Sequence, residues 1–405
     1  MDISIVLGAV GLIGVVVASI SNSMRRLPVS EPMLGLAGGV LLGPQVVGLL
    51  DIGTLAGSDT VLHESSNVLL AISVMGVALR YPVADARRQW RPVVLLLLVA
   101  LPVMAVVTAA VSWWLLSIPI AAAALLGAAL CPTDPVLASS VVTGPDAERD
   151  LPARSRQILS LESGANDGLA LPLVIAAVAL AGGMSVSDAA LGSLWQILGA
   201  TVVGAAMGAL GGLALRWGES HGATDAAPAL FFTVVLALGI LGIADSIGTD
   251  GVLAVFVGGL LFNAVGTGAE RTSEVQIDEA INRFAVLPLF VLLGAALPWN
   301  EWGELGWTGP AAVVMVLLVR RIPIVLALKR PLSLRLRDAM YLGWFGPVGV
   351  SALFYLTMEA EMVDEQSIVV VVGTQVLAAS TVALGVTGVA GRLLYRRASA
   401  RAVES

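Results

Sequence analysis

A chain of 405 residues, 57% hydrophobic and only 13% charged, with a mean hydropathy of +0.92, carries too few polar side chains to cover a water-soluble domain. At roughly 20 apolar residues per crossing plus short loops, this length holds about a dozen helical spans of a bilayer and no soluble domain beside them. The net charge of −7 says little about partners in such a chain and nucleic acid is not expected among them; one cysteine excludes an intrachain disulfide, and two distant histidines argue against a zinc cluster.

The first apolar run, 3–20, has no basic residue ahead of it and is read as a retained first span rather than a cleaved leader. Further apolar stretches follow at 28–50, 62–79, 92–116, 118–142, 155–182, 187–215, 226–248, 250–267, 284–297, 309–328, 338–357 and 367–393, which predicts an all-α polytopic membrane protein of about 13 transmembrane helices. Basic residues test that count, because they are retained on the cytoplasmic side. They fall in alternate loops: Arg25 and Arg26 after span 1, Arg80, Arg87, Arg88 and Arg91 after span 3, Arg149, Arg154 and Arg156 after span 5, and Arg216 after span 7. Arg271 and Arg283 flank the loop after span 9, Lys329, Arg330, Arg335 and Arg337 follow span 11, and Arg392, Arg396, Arg397 and Arg401 end the chain. The intervening loops 51–60, 182–188, 298–306 and 359–366 carry no basic residue. The N-terminus is therefore expected outside and the C-terminus in the cytoplasm. Thirteen spans divide as six, one and six, the arithmetic of an inverted repeat.

Only Arg320 and Arg321 fail to fall in a loop, lying near the middle of span 11, and an intramembrane charge normally faces the bundle interior and pairs with an opposite charge. Asp134, Glu162, Asp167 and Asp245 are the candidate partners. In span 5, prolines on both sides of Thr133-Asp134 disfavour helix, so a break is expected there, with Asp134 capping the second half. Such a break at mid-membrane is tolerated where it lines a cavity or coordinates an ion. Span 6 carries Glu162-Ser163-Gly164-Ala165-Asn166-Asp167; helical geometry places Ser163 and Asp167 in one column and Glu162 and Asn166 in another, about 100° round. Two nearby acids in low dielectric cannot both stay ionised cheaply. Glu162 is read as the standing partner of Arg321, leaving Asp167 to exchange a proton for a cation, and hard oxygen ligands suit sodium. Arg320 points about 100° away from Arg321, so one of the two is expected to reach Glu162, and the spacing to Pro323 favours Arg321.

Thr133-Asp134-Pro135, followed by Glu162-Ser163-x-x-Asn166-Asp167, resembles the signature of the NhaP-type sodium/proton antiporters, relatives of the animal sodium/proton exchangers. Gly39-Val40-Leu41-Leu42-Gly43-Pro44 and Gly343-Trp344-Phe345-Gly346-Pro347-Val348-Gly349 stand in the expected order, so the resemblance covers nearly the whole chain. It implies inverted six-helix repeats with crossed, broken helices in spans 5 and 12 (an NhaA-like antiporter fold), a homodimer, and a core domain that moves for alternating access. It gives Asp167 the carrier role, Asp134, Ser163 and the Thr133 carbonyl as further cation ligands, Asn166 as a brace for span 5, and the pairing of Glu162 with Arg321. Asn-Asp at 166–167 implies electroneutral exchange, one cation (Na+, or else Li+ or K+) for one H+, with no cofactor. The implied division is 1–116 mostly dimerisation or scaffold, 117–182 core with the ion site, 183–216 linker, 217–308 second-repeat scaffold, 309–393 core and 394–405 cytoplasmic tail. Many relatives have an arginine where this chain has Val348, which points to a prokaryotic branch and an inner-membrane location.

The enzyme alternative is an intramembrane aspartyl protease using Asp134 and Asp167, disfavoured because the Gly-x-Gly-Asp string is missing. A passive cation channel would more naturally repeat its ligands round an axis. No Gly-x-x-x-x-Gly-Lys loop is present for ATP-driven pumping. Of the remaining polar residues, Asp245 is read as a solvated interfacial acid, and His63 and His221 as incidental. Cys131 and the pairs Gly38-Gly39, Gly211-Gly212 and Gly258-Gly259 are read as packing residues, and Trp90, Trp299, Trp302 and Trp307 as an aromatic belt.

Overall fold

The structure is a computed structural model that describes residues 3–24, 27–50, 55–223, 226–266, 284–362 and 367–404; Arg25, Arg26, Arg271 and Arg283 lie outside the described residues. Every regular element among these is helical: α1 Ile3–Met24, α2 Glu31–Leu42, α3 Leu55–Arg80, α4 Val83–Arg88, α5 Trp90–Leu95, a π-helical turn Leu96–Ala100, α6 Leu101–Leu116, α7 Ile120–Leu130, α8 Pro135–Val142, α9 Gly144–Asp150, α10 Ala153–Leu169 and α11 Leu171–Leu180. The second half comprises α12 Val186–Ser220, α13 Ala226–Ser246, α14 Gly251–Val265, α15 Val286–Ala295, α16 Trp299–Glu304, α17 Thr308–Val319, α18 Ile322–Ala327, α19 Leu336–Trp344, α20 Val350–Met362 and α21 Ser367–Glu404. Among the described residues, seven helical segments are long and apolar enough to cross a membrane, and six shorter apolar helices occupy the other apolar stretches of the sequence.

Local chemistry sets the ends of these helices. Ser30 accepts from the Met33 amide with Pro32 inside the first turn of α2, Ser185 accepts from Asp188 at the start of α12, and Asp250 accepts from Leu253 at the start of α14. Glycine sets the separation between helices. A Cβ at Gly39 would run into the Val291 carbonyl of α15, and one at Gly208 into the Gly258 carbonyl of α14, so α2 on α15 and α12 on α14 pack backbone to backbone. Between helices in lipid, where apolar burial gives no net drive, this close van der Waals approach is the main source of association.

The basic loops meet at one end of the molecule. Arg154 donates to the Ser333 and Leu332 carbonyls at 2.7 and 2.8 Å, Arg80 to Ser160 at 3.0 Å, and Arg396 pairs with Asp150 at 3.4 Å. Loops without basic residues meet at the other, where Trp302 donates to the Val371 carbonyl at 2.9 Å and Trp195 to Ile247 at 3.3 Å. Trp302 thus ties α16 to α21, whereas Trp307 is 89% exposed.

Candidate functional site

Two interruptions cross at the centre of the bundle. The first runs from the end of α7 at Leu130 to Asp134, where Pro132 and Pro135 remove amide donors; the second runs from Phe345 to Gly349, around Pro347. The Asp134 amide donates to the Pro347 carbonyl at 3.0 Å, pinning one to the other. One Asp134 carboxylate oxygen accepts from Leu137 at 2.8 Å and so caps α8; the other accepts from the Val350 amide and from Ser351 at 3.3 Å, and so caps α20. One carboxylate therefore neutralises the positive ends of two half-helices. Gly349 permits this, since a Cβ there would collide with the carboxylate.

The opposite ends converge on Arg320. Its guanidinium donates to the carbonyls of Leu130 and Pro132, the latter at 3.1 Å, and of Gly346 at 2.7 Å, so one cation serves the negative ends of α7 and α19. The arginines are placed by a third interruption that hydropathy did not reveal: α17 stops at Val319 and α18 starts at Ile322, with Pro323 in its first turn. Arg320 has no acidic partner among the described residues; its partners are carbonyls, which no charge count along the sequence would find.

Glu162 meets Arg321 through two parallel bonds of 2.8 Å, and Arg321 Nε donates to the Leu342 carbonyl at 3.0 Å. Both side chains are fully buried. Asn166 donates to Glu162 at 3.0 Å and to the Thr133 hydroxyl at 2.7 Å, while its carbonyl accepts the Thr133 amide at 3.3 Å. The Thr133 hydroxyl lies 3.4 Å from Glu162 Oε2, as its donor, and 3.0 Å from the Ser163 hydroxyl. Because the single Thr133 proton goes to Glu162, Ser163 donates to Thr133, and the Ser163 lone pairs remain available.

Asp167 lies one turn beyond Ser163 and is 1% exposed, yet neither carboxylate oxygen has a hydrogen-bond partner among the described residues. Its backbone carbonyl is held by the Tyr355 hydroxyl of α20, and Asp134 and the Ser351 side chain are its near neighbours. The crossing thus brings together Thr133, Asp134, Glu162, Ser163, Asn166, Asp167 and Arg321, and adds Arg320 and Ser351, which sequence reasoning did not place. Asp245 is exposed, as expected of a solvated acid, and accepts from Asn67 at 3.1 Å; His63 sits 3.1 Å from Thr357 and stacks on Phe354, tying α3 to α20. Cys131 is fully buried, its thiol donating to the Ala128 carbonyl at 3.2 Å.

Relatives of known name share most of this chain. The Na+/H+ antiporter 2 of Zygosaccharomyces rouxii is 33% identical over 82% of the chain and 42% of its own length, and the Na+/H+ antiporter of Saccharomyces cerevisiae is 30% identical over 82% and 35%. The chain thus spans less than half the length of these two yeast relatives. The K+/H+ antiporter NhaP2 of a Shewanella species is 26% identical over 83% of the chain and 58% of its own length. In fold, the chain is similar to the sodium proton antiporter MjNhaP1 of Methanocaldococcus jannaschii, with a TM-score of 0.76 over 97% of this chain and 99% of that one at 18% identity. With the match of residues 12–394 to the model of the transmembrane sodium/hydrogen exchangers, the chain belongs to that family.

Proposed function

We propose that the protein is a secondary antiporter that exchanges a monovalent cation for a proton, with Asp167 as the carrier of both. The observation that carries this reading is the contrast among the three carboxylates at the crossing. Glu162 is committed to Arg321 and Asp134 to two helix N-termini, whereas neither oxygen of the enclosed Asp167 has a backbone or charged partner among the described residues. A bare carboxylate in such a place costs several kcal/mol, so the states that can cross between the two membrane faces are those in which Asp167 is neutralised by H+ or by a cation. At about 1.4 kcal/mol per decade, a penalty of ~4 kcal/mol suppresses the empty, uncoupled crossing roughly a thousandfold. One exchangeable carboxylate then moves one cation or one proton, which makes the exchange electroneutral; Asn166, being neutral, adds no second proton.

Sodium is the favoured cation, with oxygen ligands from Asp167, Asp134, Ser163 and the Thr133 carbonyl; the names of the relatives support sodium first and potassium second. No cofactor is needed. Two readings from other classes are less well supported: a protease dyad needs two carboxylates facing one water, and Asp134 already accepts three amides; a passive channel needs an open pore, and Asp167 is enclosed. We further propose thirteen spans in a prokaryotic inner membrane, N-terminus outside and C-terminus in the cytoplasm, supported by the meeting of the basic loops at one end. The working unit is a homodimer whose core, including spans 5–6 and 11–13, moves against a scaffold. The packing of α6 on α7 and α17 supports counting span 4 with that core.

The test is purified protein in liposomes loaded with a pH dye, given Na+, Li+ or K+ with and without a potassium/valinomycin clamp. Cation-dependent proton movement insensitive to the clamp is expected, and Asp167→Asn is expected to abolish it. Cation flux without proton movement would refute the proposal.

A further inference from the structure

Ser351 is the second residue of α20, just beyond the interruption that crosses span 5, and it is fully buried. Its amide is spent on Asp134 at 3.3 Å, but its hydroxyl has no hydrogen-bond partner among the described residues. A serine near a helix start usually finds a local backbone group. Here the carbonyl four residues back, that of Pro347, takes the Asp134 amide at 3.0 Å instead. The hydroxyl lies beside the Asp167 carboxylate, which is itself unpartnered. Two buried oxygen-bearing groups, one from α10 and one from α20, thus face one another with no other side-chain partner among the described residues, which leaves the oxygens of both open to a ligand.

We propose that the Ser351 hydroxyl is a direct ligand of the transported cation and helps set which cation is preferred. The assignment rests on Asp167 being the carrier. It gives the second broken helix a ligand of its own, in addition to the oxygens of spans 5 and 6. The cation then bridges α10 to α20, while with H+ bound the Asp167 hydroxyl donates to Ser351 Oγ. In the empty state the hydroxyl turns its proton to the bare Asp167 carboxylate, and in both loaded states its oxygen becomes the acceptor.

The experiment measures KM and maximal rate for Na+, Li+ and K+ in proteoliposomes for Ser351→Ala, Ser351→Thr and Ser351→Cys, and for Tl+ in the parent and Ser351→Cys, with Asp167→Asn as control. Ser351→Ala is expected to raise the cation KM about tenfold, the scale of one lost polar contact, at a maximal rate within about twofold, and Ser351→Thr to restore it. Ser351→Cys offers a soft sulfur in place of a hard oxygen and is expected to shift the Tl+/Na+ preference towards Tl+ by several-fold. An unchanged KM for all three cations in Ser351→Ala, with Asp167→Asn inactive, overturns the ligand assignment and leaves the carrier intact. If Ser351→Ala fails to fold, Ser351→Cys decides: an unchanged Tl+/Na+ ratio overturns the assignment. Normal exchange by Asp167→Asn removes the carrier reading and the inference with it.

Discussion

Removing either partner of the Glu162–Arg321 pair should cost more than removing both. The two bonds of 2.8 Å join side chains that are fully buried, and Arg321 keeps only the Leu342 carbonyl as a further partner of ordinary strength. Arg321→Met strands a carboxylate beside Asn166 and Thr133, and Glu162→Gln strands a guanidinium; leaving one buried charge unpaired costs about 3–5 kcal/mol. Replacing both charges at once removes the pair together with its desolvation cost, so the double variant should lose only about 0–2 kcal/mol, chiefly from imperfect packing. The coupling between the two substitutions should therefore be at least ~3 kcal/mol and favourable. With nine tryptophans, intrinsic fluorescence during heating reports unfolding in lipid-supplemented detergent. The single variants should melt about 5 °C or more below the parent and the double variant should recover most of that. Additive losses, with the double variant melting below either single one, would show that the pair is not a closed unit.

Arg320→Met leaves the Leu130, Pro132 and Gly346 carbonyls without their donor, at up to ~1–3 kcal/mol for each buried group. It should lower the melting point and abolish exchange, while Arg320→Lys, which keeps a charge at both helix ends but loses the fork, should retain part of both. Asn166→Asp replaces the donor that serves Glu162 at 3.0 Å with a like charge and adds a second titratable carboxylate beside Asp167, the proposed carrier; the variant should melt lower, and its remaining exchange should respond to a valinomycin clamp where the parent does not. At the end where the basic loops meet, the Arg149 hydrogen bond, assisted by the charges of Arg149 and Arg396, holds the Asp150 carboxyl below the usual range. A depressed folded value stabilises above the unfolded value of about 3.9 and is lost as pH falls through the lower folded one. Protection of the 392–404 amides, relative to their intrinsic exchange at each pH, should therefore be flat from pH 7 to 5 and fall only below about pH 4, whereas Asp150→Asn should lower it already at pH 7.

Sequence alone determined that the chain lives in a bilayer, where its apolar stretches lie, that it breaks near Pro132, Pro135 and Pro347, and that Glu162, Asn166 and Asp167 share one helix. These features are local: hydropathy sums over about 20 neighbours, and a proline acts on its own turn. Tertiary structure decided what each charge is for. Arg320 serves the carbonyls of Leu130 and Pro132, 190 and 188 residues away along the chain, and Asp134 caps a second helix at Val350, 216 residues away. The unsatisfied Ser351 and the inward tie of Trp302 emerge only when distant segments meet, because a buried polar group takes its role from whatever donor or acceptor the crossing brings within about 3 Å.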